Sequence, residues 1–112
     1  MNRTMIVLML CAGALASPAM GADPAALAKA KQCFTCHDAK SEMIGPSFSD
    51  IARRFKGVSN AKPMLAGVIQ SGTDSPGVVY HWGATKMPAA SARVAVSNEE
   101  AEALAEYVLS FK

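Results

Sequence analysis

The run Cys33-Phe34-Thr35-Cys36-His37 constrains this chain more than anything else in it. Two thiols three residues apart, with an imidazole next in line, are compatible with three chemistries. One is a redox-active thiol pair or a disulfide. Another is half of a zinc site. That would need further ligands, and His81 is the only other histidine, so a carboxylate would have to complete the set. The third is covalent haem attachment, for which C-x-x-C-H is the signature. The spacing suits the third on geometric grounds. Cysteines three apart on a helix lie on one face, where their sulfurs can reach the two haem vinyl groups, and the adjacent histidine can then meet the iron. A thioredoxin-like pair would need no such histidine and would follow a strand in a βαβ setting. No strand pattern precedes Cys33.

What lies upstream supports export. Arg3 provides a short positive start, Met5 to Leu15 is an apolar run, and Ala16, Ser17, Ala19, Gly21 and Ala22 are small. That order is the layout of a secretory signal peptide, and the run is short for a bilayer span, which takes about 20 apolar residues. Residues 1–22 are therefore expected to be a cleaved signal and residues 23–112 a single domain. Cuts after Ala16 or Ala19 also fit, and Leu10 is too bulky for a lipoprotein signal at Cys11. Cleavage after Ala22 removes Arg3, one of 11 basic side chains, and none of the 9 acidic ones. The remaining near balance argues against nucleic acid or an anionic membrane as partner, since both ask for a basic patch. A domain this small, with many of its apolar residues alanine, buries little surface by itself and commonly leans on a cofactor.

The spacing predicts an all-α chain. Asp23-Pro24 caps and opens a helix expected to run to Cys36, with Leu27, Ala30 and Phe34 at helical intervals. A second helix is expected over Ser47 to Phe55 and a third over Ala61 to Gln70. Turn sequence is expected from Ser71 to Gly77. The segment from Val78 to Val96 has no clean period, and a loop so long inside a small domain is usually functional. Within it, only Arg93 to Val96 alternates as a strand would. Ser97 and Glu100 form a capping box, and Ala101, Leu104, Ala105, Val108 and Leu109 trace one face of a last helix.

An electron-carrying haem needs both axial positions filled by protein. His37 fills one, and Met43, Met64, Met87 and His81 compete for the other. Met87 is the choice, because it lies in a loop stiffened by Pro88 and far enough from His37 for the chain to wrap the haem. Met64 sits at a helix start, where packing is the ordinary role, and Met43 is only six residues past His37. His81 stays open as a rival that would lower the reduction potential.

With Cys33-x-x-Cys36-His37, Ile44-Gly45-Pro46, Trp82-Gly83 and Met87-Pro88 in this order, the chain resembles class I c-type cytochromes, and within them the short bacterial group typified by cytochrome c-551. The resemblance spans residues 23–112. It implies a small class I cytochrome c fold: four to five short helices wrapped around one covalent haem c, with the first and last helices packed across each other. Cys33 and Cys36 would carry the thioether links, with His37 and Met87 as axial ligands. The Pro46 carbonyl would accept a hydrogen bond from the His37 ring, and Trp82 would lie near a propionate. The chain departs from these relatives at Val68, where they place an arginine, and at Ala90, where an asparagine is common. Val79-Tyr80-His81 also looks inserted.

The implied role is a monomeric periplasmic single-electron carrier, without catalysis of its own. It would pass between a cytochrome bc1-type donor and a terminal reductase, oxidase or peroxidase through transient contacts. No nucleic acid is expected as partner, nor a stable membrane association after signal cleavage. Phe34, Ile44, Met87, Ala89 and Ala90 are expected to form an apolar docking rim. Lys31, Lys40 and Lys86 are either steering charges or ordinary solvated surface.

Overall fold

The structure, a computed structural model, describes residues 23–74 and 85–112, together with Gly13. The segment expected to be a signal peptide, Gly13 apart, therefore lies outside the described residues, as do Tyr80, His81 and Trp82. Among the described residues four α-helices follow one another: α1 (Pro24–Ala30), α2 (Phe48–Arg54), α3 (Ala61–Ser71) and α4 (Asn98–Leu109). Two short 3-10 turns, Cys33–Thr35 and Ala90–Ala92, complete them, and no strand occurs among the described residues. The Arg93 to Val96 alternation therefore forms no strand.

Local chemistry starts each helix where the residues allow. Asp23 caps α1 by accepting from the Ala25 N–H, and Pro24 stands in the first turn, where a missing N–H costs nothing. Ser47 caps α2 through the Asp50 N–H. Pro63 sits within the first turn of α3, where it breaks no helical bond. At α4 the capping box is complete: Ser97 Oγ accepts from the Glu100 N–H at 3.1 Å, and Glu100 Oε1 accepts from the Ser97 N–H at 2.9 Å.

The first helix is shorter than its periodicity predicts. It ends at Ala30, and Gln32 takes the left-handed conformation, φ 61°. A side chain there costs on the order of 1 kcal/mol relative to ordinary backbone, and sequence alone gives no warning of it. The break re-aims the chain, so that Cys33 and Cys36 lie on a 3-10 turn instead of a continuing α-helix.

The three other helices all pack on α4. Ala28 of α1, Phe48 of α2 and Leu65 and Ala66 of α3 are buried with Ala101, Leu104, Ala105 and Val108. The first and last helices are in contact, as expected, and Lys31 reinforces that contact. Its ammonium lies 2.9 Å from the Ala95 carbonyl and 3.0 Å from Glu100 Oε2. Lys62 reaches Glu106 at 3.2 Å between α3 and α4.

Glu100 thus serves two partners. The Ser97 N–H, and then Lys31, hold its carboxyl below the ordinary glutamate value. A depressed folded-state pKa means that the contribution is complete above the unfolded value and disappears as pH falls through the folded one. Hydrogen exchange at the first turn of α4 should accelerate over that acid window, and Glu100→Gln should remove most of the pH dependence. Amide exchange followed across the acid range checks both.

Candidate functional site

The turn at Cys33 is closed by the Cys33 carbonyl, which accepts from the N–H groups of Cys36 (3.2 Å) and His37 (3.0 Å). Both thiols are free and half-buried. A loop then folds back over the turn. Asp38 Oδ2 accepts from the N–H groups of Lys40 and Ser41, each at 2.9 Å, and these bonds hold its carboxyl below the usual range. The Gly45 N–H donates to the Cys36 carbonyl at 2.8 Å, and the Phe48 N–H to the Asp38 carbonyl at 2.9 Å. Pro46, buried at the end of this loop, aims its carbonyl at the imidazole, 2.6 Å from His37 Nδ1. A carbonyl can only accept, so Nδ1 carries the proton and Nε2 carries the lone pair.

Two neighbours fix the ring further. Phe48 stacks on it, with centroids 5.5 Å apart and planes 25° from parallel. Gly45 lies so close that a Cβ there would stand 2.6 Å from His37 Cε1 and 2.9 Å from Nδ1. Burial lowers the His37 pKa, although the bond to Pro46 pulls the other way and Arg93 adds repulsion. The ring is therefore held neutral, the form that can ligate a metal. Burial also raises the Cys33 pKa, against a weaker lowering influence of Arg93. Redox-active thiols are tuned downward, the opposite of the direction at Cys33. Among the described residues no three His, Cys, Asp or Glu side chains gather as a zinc site requires.

Cys33, Cys36, His37 and Pro46 line one cavity of about 270 Å³ together with Met87. Its remaining walls are largely apolar, with Ile44, Ile51, Phe55, Leu65, Val68 and Pro88 among them. A smaller pocket of about 70 Å³, also lined by Cys33, His37 and Met87, is bounded by Phe48, Leu104 and Tyr107. A flat apolar group with a central metal fits this donor set: two unpaired thiols, one neutral oriented imidazole and one thioether around one hydrophobic space. Met43 is half exposed and absent from the walls, as is Met64.

Met87 is anchored by contacts that its sequence neighbourhood does not announce. Its N–H donates to Thr73 Oγ1 at 2.8 Å, and its carbonyl accepts from the Thr73 N–H at 2.9 Å. Gly72, φ 69°, ends α3 so tightly against this segment that a Cβ would stand 2.7 Å from the Ala89 nitrogen. Beside the pair, Lys86 Nζ meets Asp74 Oδ1 at 2.8 Å, which lowers the Asp74 pKa. Arg93, which sequence reasoning passed over, also lines the cavity. Val68 stands in the wall, and Ala90 is buried against α3, so Ala90 drops out of the expected docking rim.

The cytochrome c family model matches residues 22–112. The cytochrome c-551 of Stutzerimonas stutzeri is 40% identical over the full length of both chains. That of Pseudomonas aeruginosa is 42% identical, over 88% of this chain and 86% of its own. The crystal structure of wild-type Nitrosomonas europaea cytochrome c552 superposes with a TM-score of 0.67 at 35% identity, covering 79% of this chain and 99% of that one.

Gly45→Ala should push the imidazole off the Pro46 carbonyl and destabilise the folded protein by about 1–3 kcal/mol, the usual range for overpacking. Urea unfolding of the variant beside the wild type, with the His37 ring followed by NMR, measures both effects.

Proposed function

The chain belongs to the cytochrome c family, as a monohaem electron carrier of the c-551/c-552 kind with one covalently attached haem c; on that premise we propose that Cys33 and Cys36 form the thioether links and that His37 and Met87 are the axial ligands. The observation that carries this reading is the 2.6 Å bond from His37 Nδ1 to the Pro46 carbonyl. It leaves Nε2 free to ligate and orients the ring, the part that outer partners play at metal sites. When bound, haem supplies a one-electron ferric–ferrous couple. The protein's part is to keep its surroundings the same in both states. Phe48 limits rotation of the imidazole, Thr73 holds the Met87 backbone at both its N–H and its carbonyl, and the apolar walls exclude water. Trp82 is proposed to approach a propionate on the strength of the resemblance alone, since it lies outside the described residues.

The protein is proposed to act in the periplasm, delivered by residues 1–22, and to carry out no bond chemistry of its own. Among the described residues no helix is long and apolar enough to cross a membrane. Its partners are proposed to be a cytochrome bc1-type donor and a terminal reductase, oxidase or peroxidase, met transiently by the monomer. Phe34 is 37% exposed and Ile44, which borders the cavity, 60% exposed. A small apolar contact of this kind suits weak redox encounters. Electrostatic steering has less support, because Lys31 and Lys86 already serve Glu100 and Asp74.

The optical spectrum tests the assignment. Oxidised wild type should show the weak far-red band of sulfur–iron ligation, and the reduced protein should refuse carbon monoxide. Met87→Ala should lose the band and bind the gas with haem still attached by mass spectrometry, whereas His81→Ala should behave as wild type. Loss of ligation in the His81 variant instead would transfer the sixth position to that residue.

A further inference from the structure

Arg93 closes the 3-10 turn Ala90–Ala92 and points back across it. Its Nε–H donates to the Pro88 carbonyl at 2.9 Å, and its Nη2–H donates to the Ile69 carbonyl at 2.6 Å. One acceptor is the residue after Met87. The other lies in the last turn of α3, where carbonyls lack an intrahelical partner. The N–H that would come four residues on from Ile69, that of Thr73, is given to Met87 instead. Helix α3 carries no basic residue in its last turn. Arg93 therefore brings from outside the cation that this negative end of the helix favours. A guanidinium has the planar fork needed to reach two carbonyls at once, which an ammonium lacks.

We propose that Arg93 is a positioning residue for the sixth ligand, tying the Met87–Pro88 segment to the carboxyl end of α3 by bridging the Ile69 and Pro88 carbonyls. The bridge complements the Thr73 pair. Thr73 fixes Met87 itself, while Arg93 fixes the carbonyl immediately beyond it and so opposes the segment swinging away from α3. This rests on Met87 being the ligand, and the experiment separates the two ideas.

Carbon monoxide can enter only when Met87 leaves, so its binding rate to the reduced protein reports the ligand-off population. Arg93→Ala should raise that rate about tenfold, the low end for losing a hydrogen bond to a charged group. In urea, the variant's far-red band should disappear before helical circular dichroism does. Arg93→Lys, with one compact head, should recover only part of the difference. A carbon monoxide rate unchanged in Arg93→Ala would overturn the proposal, as would full recovery in Arg93→Lys. Simultaneous loss of band and helix would also overturn it, since that is the mark of a merely structural residue. A wild type without the far-red band would instead remove the Met87 assignment beneath it.

Discussion

Among the described residues, the other helices are arranged around the small-residue face of α4. Ala101 and Ala105 have no exposed surface, and neither does Ala28 on the helix that meets them. Methyl side chains let helix axes approach toward the lower end of the usual range of about 8–10 Å. They also contribute little apolar area, at about 25 cal/mol per Å² buried. The helices are therefore drawn together along one seam without filling the space between them. What remains is the cavity of about 270 Å³ bounded by Cys33, His37, Leu65 and Met87. In a chain with so few large core residues, the prosthetic group is a structural component as much as a reactive one. Four of the described aromatic side chains cluster together: Phe34, Tyr107 and Phe111 all pack on Phe48, which also stacks on the His37 ring.

The parts of this arrangement that were legible in the sequence are those set by near neighbours. The all-α class, the capping box of Ser97 and Glu100 and the second and third helices all depend on residues within a few positions of one another. The family was legible for the same reason, because its motifs are short and ordered. Less legible were features fixed by distant partners. Gln32 adopts positive φ although glycine is the usual residue there, so no local signal marks the end of α1. The Pro46 contact came only through the resemblance. The anchoring of Met87 by Thr73, and the reach of Arg93 to Ile69, span 14 and 24 residues and have no periodic signature.

Charge plays a structural part more than a steering one. Lys31, Lys62 and Lys86 each meet a carboxylate on another segment, and the Arg53–Asp50 pair lies along α2. Exposed pairs of this kind contribute about 0–1 kcal/mol each. Their consistent placement between segments nevertheless lines up with the packing, so that local and long-range preferences agree. The exposed residues lining the cavity are mixed, with Ile44 and Pro88 beside Gln32, Arg54, Thr85 and Lys86.

The pairing of Thr73 with Met87 has a consequence for how this chain can vary. Both bonds, one to the Thr73 hydroxyl and one between backbones, lie at the base of the segment that joins the two residues, reinforced by Asp74 and Lys86 one step inside. Changes in the number of residues between those two bases need not be transmitted to Met87. Closure entropy rises slowly with length, by about 0.6 kcal/mol per doubling. A chain built this way can gain or lose residues there while Met87 stays in register. The pairing separates the length of that segment from the position of Met87.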